Sequence, residues 1–378
     1  MRILYIINAF SWGGAEKLVY DLAIGIRPFV EHVSVIGLYR KGDNTESDMV
    51  AALADKDIKT YVLGKEAGTG RINGILEILS YAKKNQITVI HGHCSVPMLF
   101  GKIVGWLSGI PVVCTIHNTR GYSKIKEITT SWMCKKYISI GQAAEEYMIE
   151  VLNISPAKIV RIYNAINTDV FVSDKKNDFF WNQFGGKENE KVILNVARVN
   201  EQKNQMCLLR SIKMCVNRGE RIHAYILGSY DESSTIYKEL RSYISDEGID
   251  DYITFLGMHK NVNEFLANAD CFVMTSWFEG LSVAFLEAVI SGTHIITTDL
   301  PFVHELQKIG KCATIIDQDD SEKLAELLIE SEWEAPSRDT INSFVSKFGM
   351  EQFVHEHLNV YHEFENNNKH TEDSLTND

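Results

Sequence analysis

The 378-residue chain predicts an α/β fold in two domains, each a parallel sheet covered on both faces by helices. Short apolar runs of strand length alternate with stretches of helical period along the chain, the pattern that builds such sheets. The alternation breaks once, over the polar residues 164–190 with Gly185-Gly186, and then restarts. The length is long for one core and natural for two. These features set a first domain at 1–165, a linker at 166–190 and a second domain at 191–345. A final helix at 346–365 is long enough to return across the linker, and the polar tail 366–378 is expected to be disordered.

In the first half the apolar runs are 3–8, 32–38, 60–63, 89–91, 112–117, 137–140 and 159–163. Ligands of parallel sheets sit beyond the carboxyl ends of the strands, so the residues after each run matter most. The first run opens into AFSWGGAEKLVYDLA. Gly13-Gly14 permit a close backbone approach, and Glu16 opens a helix with Leu18, Val19 and Leu22 on its apolar face. This is not the G-x-G-x-x-G fingerprint, so a nicotinamide cofactor is disfavoured. His91 and His93 share one face of their strand. They can be packed, hydrogen-bonded histidines or a metal pair, and no third ligand is evident. His117, at the end of its run, is better placed to meet a substrate. Residues 120–136 mix Arg120, Lys124, Lys126, Lys135 and Lys136 with Tyr122, Ile125, Ile128, Trp132 and Met133. That segment suits either an anionic membrane surface or a solvated helix face.

In the second half the runs are 192–199, 224–228, 252–257, 271–276, 294–299 and 313–317. Arg198 ends the first of them and Lys203 follows five residues on. Two such cations can neutralise a pyrophosphate, Arg as a fork and Lys as a point charge. Gly228 and the turn Gly257-Met258-His259 end the next two runs and are placed to receive a nucleotide base. Asp317-Gln-Asp319 has metal-binding spacing, but it introduces a helix, and capping explains it better.

The stretch 277–292, WFEGLSVAFLEAVISG, is the most informative. Glu279-Gly280 make a turn, Ser282 can cap a helix, and Gly292 closes it about three turns later. Glu279 and Glu287 would lie roughly 12 Å apart if the turn continued the helix. Carboxylates so spaced cannot share one reacting atom, yet they can hold two ends of an extended ligand. A phosphate in its middle suits the free N–H groups of a helix start.

Composition narrows the classes. Residues 1–165 carry a net charge of +5 and residues 166–378 one of −17, within a total of −12. A basic half beside an acidic one fits a first domain that meets something anionic, and equally a tolerated bias. No nucleic-acid partner is expected. From 87 to 117 the only Lys, Arg, Asp or Glu is Lys102, but Pro97, Pro111, glycines and three histidines leave no apolar run long enough to span a bilayer. Seven cysteines, odd in number and without a Cys-x-x-Cys pair, suit reduced thiols in the cytoplasm. The chain enters its first strand with no signal-peptide pattern.

Together these residues resemble the retaining glycosyltransferases of family 4, from Met1 to about Phe364. The resemblance rests on the E-x7-E pair Glu279 and Glu287, with FSWGGAEKL, TIHN, IYNAINTDVF, VARVNEQKN and FLGMHKNVNEFLANADCFVMTS in order. It implies the GT-B fold: two Rossmann-like domains with parallel sheets facing across a cleft, an acceptor-binding first domain, a donor-binding second domain, and a C-terminal helix packing back on the first. It implies that Glu279 binds donor-sugar hydroxyls and Glu287 the ribose. Arg198 and Lys203 would hold the diphosphate, aided by N–H groups of Gly280, Leu281 and Ser282 and by Gly13-Gly14. His117 would touch the sugar near the reacting carbon, and Met258–His259 would border the base. The family often has Pro where Ser282 stands, and Gly-x-Gly where this chain has Gly228-Ser229-Tyr230, which puts the contacts near Gly228 in doubt.

The implied reaction moves a hexosyl or N-acetylhexosaminyl group from a nucleotide sugar, a UDP-sugar before GDP-mannose, with retention and without a metal or other cofactor. The acceptor would be a saccharide or lipid-linked saccharide in bacterial surface-polysaccharide synthesis, at the cytoplasmic face of the membrane. No carboxylate is placed as a double-displacement nucleophile, so a front-face route fits better. The competing readings are a sugar-nucleotide epimerase of the UDP-N-acetylglucosamine 2-epimerase type and a non-catalytic partner subunit.

Overall fold

The computed structural model describes residues 1–65, 70–166, 168, 180–259, 261–330 and 333–375, with residues 365–375 by backbone alone. The chain forms two compact units, Met1–Ile166 with Phe348–Asp378, and Asn167–Lys347.

The first unit holds seven parallel strands: β1 (Arg2–Ile7), β2 (His32–Gly37), β3 (Lys59–Val62), β4 (Val89–His93), β5 (Val112–Ile116), β6 (Lys136–Ser139) and β7 (Ile159–Arg161). Their order is β3-β2-β1-β4-β5-β6-β7, so the direction of winding reverses between β1 and β4. Every expected run is a strand. The inner strands are buried on both faces, which is why they read as continuous apolar runs instead of alternating ones.

One face of this sheet is covered by the first and last helices of the chain. Gly14–Ile26 buries Leu18, Val19, Leu22, Ala23 and Ile26. Met350–Leu375 brings Phe353, Val354, Leu358, Val360, Tyr361 and Phe364 into the same core as Ile3, Tyr5 and Ile7. This helix starts after Gly349, where Ile166 N donates to Phe348 O at 3.0 Å and Ile166 bridges Gly349. It runs on to Leu375, past the expected end at 365. No glycine or proline after Gly349 is available to stop it. Residues 376–378 lie outside the described residues.

A buried ion pair shapes the edge of this unit. Lys102 Nζ lies 2.5 Å from Glu127 Oε2, which also accepts from Tyr137 OH at 2.8 Å. The Lys124–Thr130 helix thus turns its carboxylate inward. Its apolar residues face water: Ile125 is 76% exposed, Ile128 49% and Trp132, just beyond, 58%. Trp132 meets the exposed Trp106 edge-on at 5.9 Å.

The second unit holds six parallel strands: β8 (Lys191–Val196), β9 (Ile222–Leu227), β10 (Ile253–Gly257), β11 (Cys271–Met274), β12 (His294–Thr298) and β13 (Thr314–Ile316). Their order is β10-β9-β8-β11-β12-β13, with the reversal between β8 and β11. Part of the expected linker belongs to this unit. Trp181, in the turn Phe180–Phe184, is buried, stacks on Tyr225 at 4.2 Å and donates from Nε1 to Asn268 O at 2.8 Å. The polar composition around it hid this aromatic anchor. Residues 167 and 169–179 lie outside the described residues.

The ion pair sets a test of stability. Glu127→Ala, which strands the buried Lys102 ammonium, should cost about 3–5 kcal/mol in urea denaturation. Lys102→Met combined with Glu127→Leu should cost clearly less than that single change, because no charge is then left buried.

Candidate active site

Both winding reversals are topological switch points, where adjacent loops part and leave room for a ligand. In the second unit those loops follow β8 and β11. Leaving β8, the chain stays bonded to the extension of β9: Ala197 N donates to Leu227 O and Val199 N to Ser229 O, both at 2.9 Å. Gly228 makes this possible. It has φ +151°, and a Cβ there would overlap the Ala197 carbonyl. Its role in the fold is therefore a backbone packing one. Arg198 sits in this stretch, its carbonyl held by Gln205 Nε2 at 3.0 Å.

A short turn, Glu201–Lys203, follows, with Asn200 Oδ1 accepting from Lys203 N at 3.2 Å. It delivers the Lys203 ammonium onto Glu279 Oε1. Ser276 Oγ donates to the same oxygen at 2.9 Å, and Gln202 Nε2 reaches the other at 3.4 Å. Backbone contacts lock the two loops together. Trp277 N donates to Gln202 O at 2.9 Å, Gln202 Nε2 to Phe278 O at 2.7 Å and Thr275 Oγ1 to Lys203 O at 2.9 Å. Thr298 and Gln318 add support from the following strands, donating to Ser276 O and Trp277 O. Sequence reasoning missed Ser276, Gln202, Gln205, Thr298 and Gln318. Their one signal was uncharged polar character at strand carboxyl ends.

Ser282 caps the next helix as expected, its Oγ accepting from Phe285 N at 3.3 Å. The helix spans Val283–Ile290, about two turns, and ends before Gly292 at φ +70°. Residues 279–282 are not helical, so the helical rise does not set the separation of Glu279 from Glu287. Both glutamates are 8% exposed, and Glu287 lies within the helix. Gly280 and Leu281 complete the turn before the cap. Met258 and His259 follow β10. Met258 is exposed, while His259 shares a hydrogen bond with Leu256 O at 3.2 Å and rests against Phe265. The helix after β13 is capped by Asp320, which accepts from Lys323 N at 2.8 Å, and not by Asp317-Gln-Asp319. Asp319, at φ +60°, instead binds Asn204 Nδ2 at 3.1 Å and Arg210 at 3.3 Å.

In the first unit, Gly13 and Gly14 follow β1 at the switch point. Neither has positive φ; a Cβ on Gly14 would meet nothing within 4 Å, and one on Gly13 would press on the end of the Glu16 side chain at 2.8 Å, so the fold does not demand glycine at Gly14. His117 follows β5. Its Nε2 lies 3.0 Å from His93 Nδ1, and its backbone N donates to Tyr122 OH at 3.1 Å. His91 shares hydrogen bonds with Tyr361 OH at 2.6 Å and Thr115 Oγ1 at 2.7 Å. His91 and His93 are thus packed, hydrogen-bonded histidines. Among the described residues no group of three or more His, Cys, Asp or Glu is arranged to hold a metal. His357 joins the cluster from the last helix. Burial pushes His117 down to about 4, with His357 nearby adding to it, and burial sends His357 to about 4 against the opposing pull of its hydrogen bond to Phe353 O. His91 and His93 lie well below the ordinary value for the same first reason. All four rings are neutral at pH 7.

Two parallel sheets with switch points, the first closed by the last helix of the chain, have the architecture of the GT-B fold. The sequence model of Glycosyltransferase Family 4 matches residues 12–170, and that of Glycosyl transferases group 1 matches residues 190–331. The chain belongs to the glycosyltransferases of the family 4 type. It is 24% identical over 327 residues to the capsular polysaccharide biosynthesis glycosyltransferase CapH of Staphylococcus aureus, covering 82% of this chain and 85% of that one. It is 23% identical over 243 residues to an Escherichia coli UDP-Gal:alpha-D-GlcNAc-diphosphoundecaprenol alpha-1,3-galactosyltransferase, covering 61% and 62%. Anabaena HepE, solved with UDP and glucose, superposes with a TM-score of 0.82 at 18% identity, over 95% of this chain and 99% of that one. No helix among the described residues is long and apolar enough to cross a membrane.

The histidine cluster gives stability a pH dependence of known sign. Unfolding frees each depressed ring to bind a proton, so the unfolded state holds more protons between pH 6.5 and about 4. Stability is full above that window and is lost as pH falls through it. Calorimetry should show a lower Tm at about pH 5 than at pH 7, with a shallower slope in His357→Leu.

Proposed function

We propose that this enzyme moves a hexosyl or N-acetylhexosaminyl group from a nucleotide sugar, a UDP-sugar before GDP-mannose, to a saccharide or lipid-linked saccharide of a bacterial surface polysaccharide. The observation that carries the reading is the Lys203–Glu279 pair held just ahead of the Val283–Ile290 helix. N–H groups at a helix start, with the Lys203 ammonium and the Arg198 guanidinium, are suited to form a preorganised cradle for a departing diphosphate. The Glu279 carboxylate neutralises Lys203. An arriving diphosphate takes over the ammonium, and Glu279 turns to the hydroxyls of the donor sugar. Arg198 and the N–H groups of Gly280, Leu281 and Ser282 share the diphosphate, Glu287 binds the ribose, and Met258–His259 border the base. His117 meets the sugar, and Gly13-Gly14 leave room for the phosphates to approach.

Transfer proceeds with retention by a front-face route. The leaving phosphate takes the acceptor proton, and no metal or other cofactor is required. The names of the relatives support the UDP-sugar and the lipid-linked acceptor: one uses UDP-Gal on a diphosphoundecaprenol sugar, and another serves capsule synthesis. The first unit docks peripherally on anionic membrane at the cytoplasmic face through Trp106, Ile125, Ile128 and Trp132. Exposed Lys124, Lys126 and Lys135 lie among or beside them in the chain.

Arg198→Ala and Lys203→Ala should each lower kcat/KM by about 100-fold. Wild-type turnover in the double variant would overturn the assignment. In a thermal-shift panel UDP and UDP-sugars should raise Tm more than GDP, ADP or their sugars. Ile125→Ser combined with Trp132→Ser should abolish co-sedimentation with phosphatidylglycerol vesicles, and equal recovery of both proteins would count against docking.

A further inference from the structure

We propose that His93 is a positioning residue that fixes the tautomer of His117, so that His117 carries its proton on Nδ1 and offers a hydrogen-bond donor beyond the end of β5. Two neutral imidazoles 3.0 Å apart, His93 Nδ1 and His117 Nε2, need one donor and one acceptor. The other nitrogen of His93, Nε2, is buried with no hydrogen-bond partner among the described residues. If His117 donated, the single proton of His93 would sit on Nε2 as a buried N–H with no acceptor. A buried N–H without a partner is rarer in native structures than an under-satisfied acceptor, and stranding one carries the full desolvation cost. His93 therefore donates from Nδ1 and leaves only a lone pair unmatched. His117 accepts on Nε2, and its proton is displaced to Nδ1.

The His93 ring has little freedom to do otherwise. His91 lies against it at 4.1 Å and is itself pinned by Thr115 and by Tyr361 of the last helix. Tyr5 covers it at 6.0 Å. The inference deepens the proposed function and rests on the reading that His117 meets the transferring sugar. There a neutral donor would face a hydroxyl or ring oxygen of the hexose, and an acceptor-only nitrogen would select a different oxygen orientation.

The tautomer can be read without any ligand. In the full chain labelled with 15N-histidine, His117 should show a protonated Nδ1 and a bare Nε2, and the reverse pattern would overturn the proposal. The consequence for binding is read as the affinity for UDP-glucose, UDP-N-acetylglucosamine or GDP-mannose relative to that for the matching nucleoside diphosphate. His93→Leu should weaken the sugar nucleotide by up to about 10-fold and leave the diphosphate unchanged, the size of one hydrogen bond. His93→Asn, whose amide can donate from the place of Nδ1, should recover most of that loss. Equal losses in both variants, with Tm preserved, would sink the positioning role. If His117→Ala kept the wild-type ratio, the reading of His117 would fail, while the 15N pattern would still decide the tautomer.

Discussion

Where two neighbouring parallel strands send their crossovers to opposite faces of a sheet, the loops that follow them part, and no helix fills the gap. Both units obey this constraint, and the functional candidates follow from it. In the second unit the parting loops follow β8 and β11, and Lys203 and Glu279 are their meeting point. In the first unit they follow β1 and β4, which brings Gly13-Gly14 and the histidines of β4 to the same end of the sheet. A parallel sheet also needs cover on both faces, and one face of the first sheet gets it partly from the last helix of the chain. That helix carries His357 and Tyr361, so the need to bury β1 and β4 is what assembles the histidine cluster.

The two units solve the problem of buried charge differently. At the edge of the first unit, Lys102 and Glu127 are both buried, matched to each other and to Tyr137 OH. Because Glu127 takes the inward place on its short helix, Ile125 and Ile128 are left outward, the reverse of ordinary amphipathic packing. In the histidine cluster no counter-charge is present among the described residues, and burial keeps the rings neutral instead. Around Glu279 the carboxylate is surrounded by donors from Lys203, Ser276 and Gln202, so it is matched by an ammonium and two neutral donors instead of by a single buried partner.

The strands were legible because inner parallel strands are apolar on both faces and stand out as unbroken runs, and the Ser282 cap announced its helix. The polar fastenings were not. Gln202 meets Phe278 across 76 positions and His91 meets Tyr361 across 270, and no local pattern encodes such pairings. Local signals also misled where two readings competed. Asp317-Gln-Asp319 looked like a cap, yet the next residue, Asp320, has the geometry for it. The polar surroundings of Trp181 suggested a linker, although one aromatic stacked on Tyr225 outweighs them.

The return of the last helix to the first sheet has a bearing on how the molecule is made. A ribosome working from the amino end completes all seven strands of the first unit early, and then the whole second unit, before it delivers the segment that lies over Tyr5 and His91. Until then part of an apolar sheet face stays wet, so the nascent first unit is an unfinished intermediate until the segment from Met350 to Phe364 emerges. A premature stop ahead of Met350 would leave that face without its cover even though every strand had been synthesised.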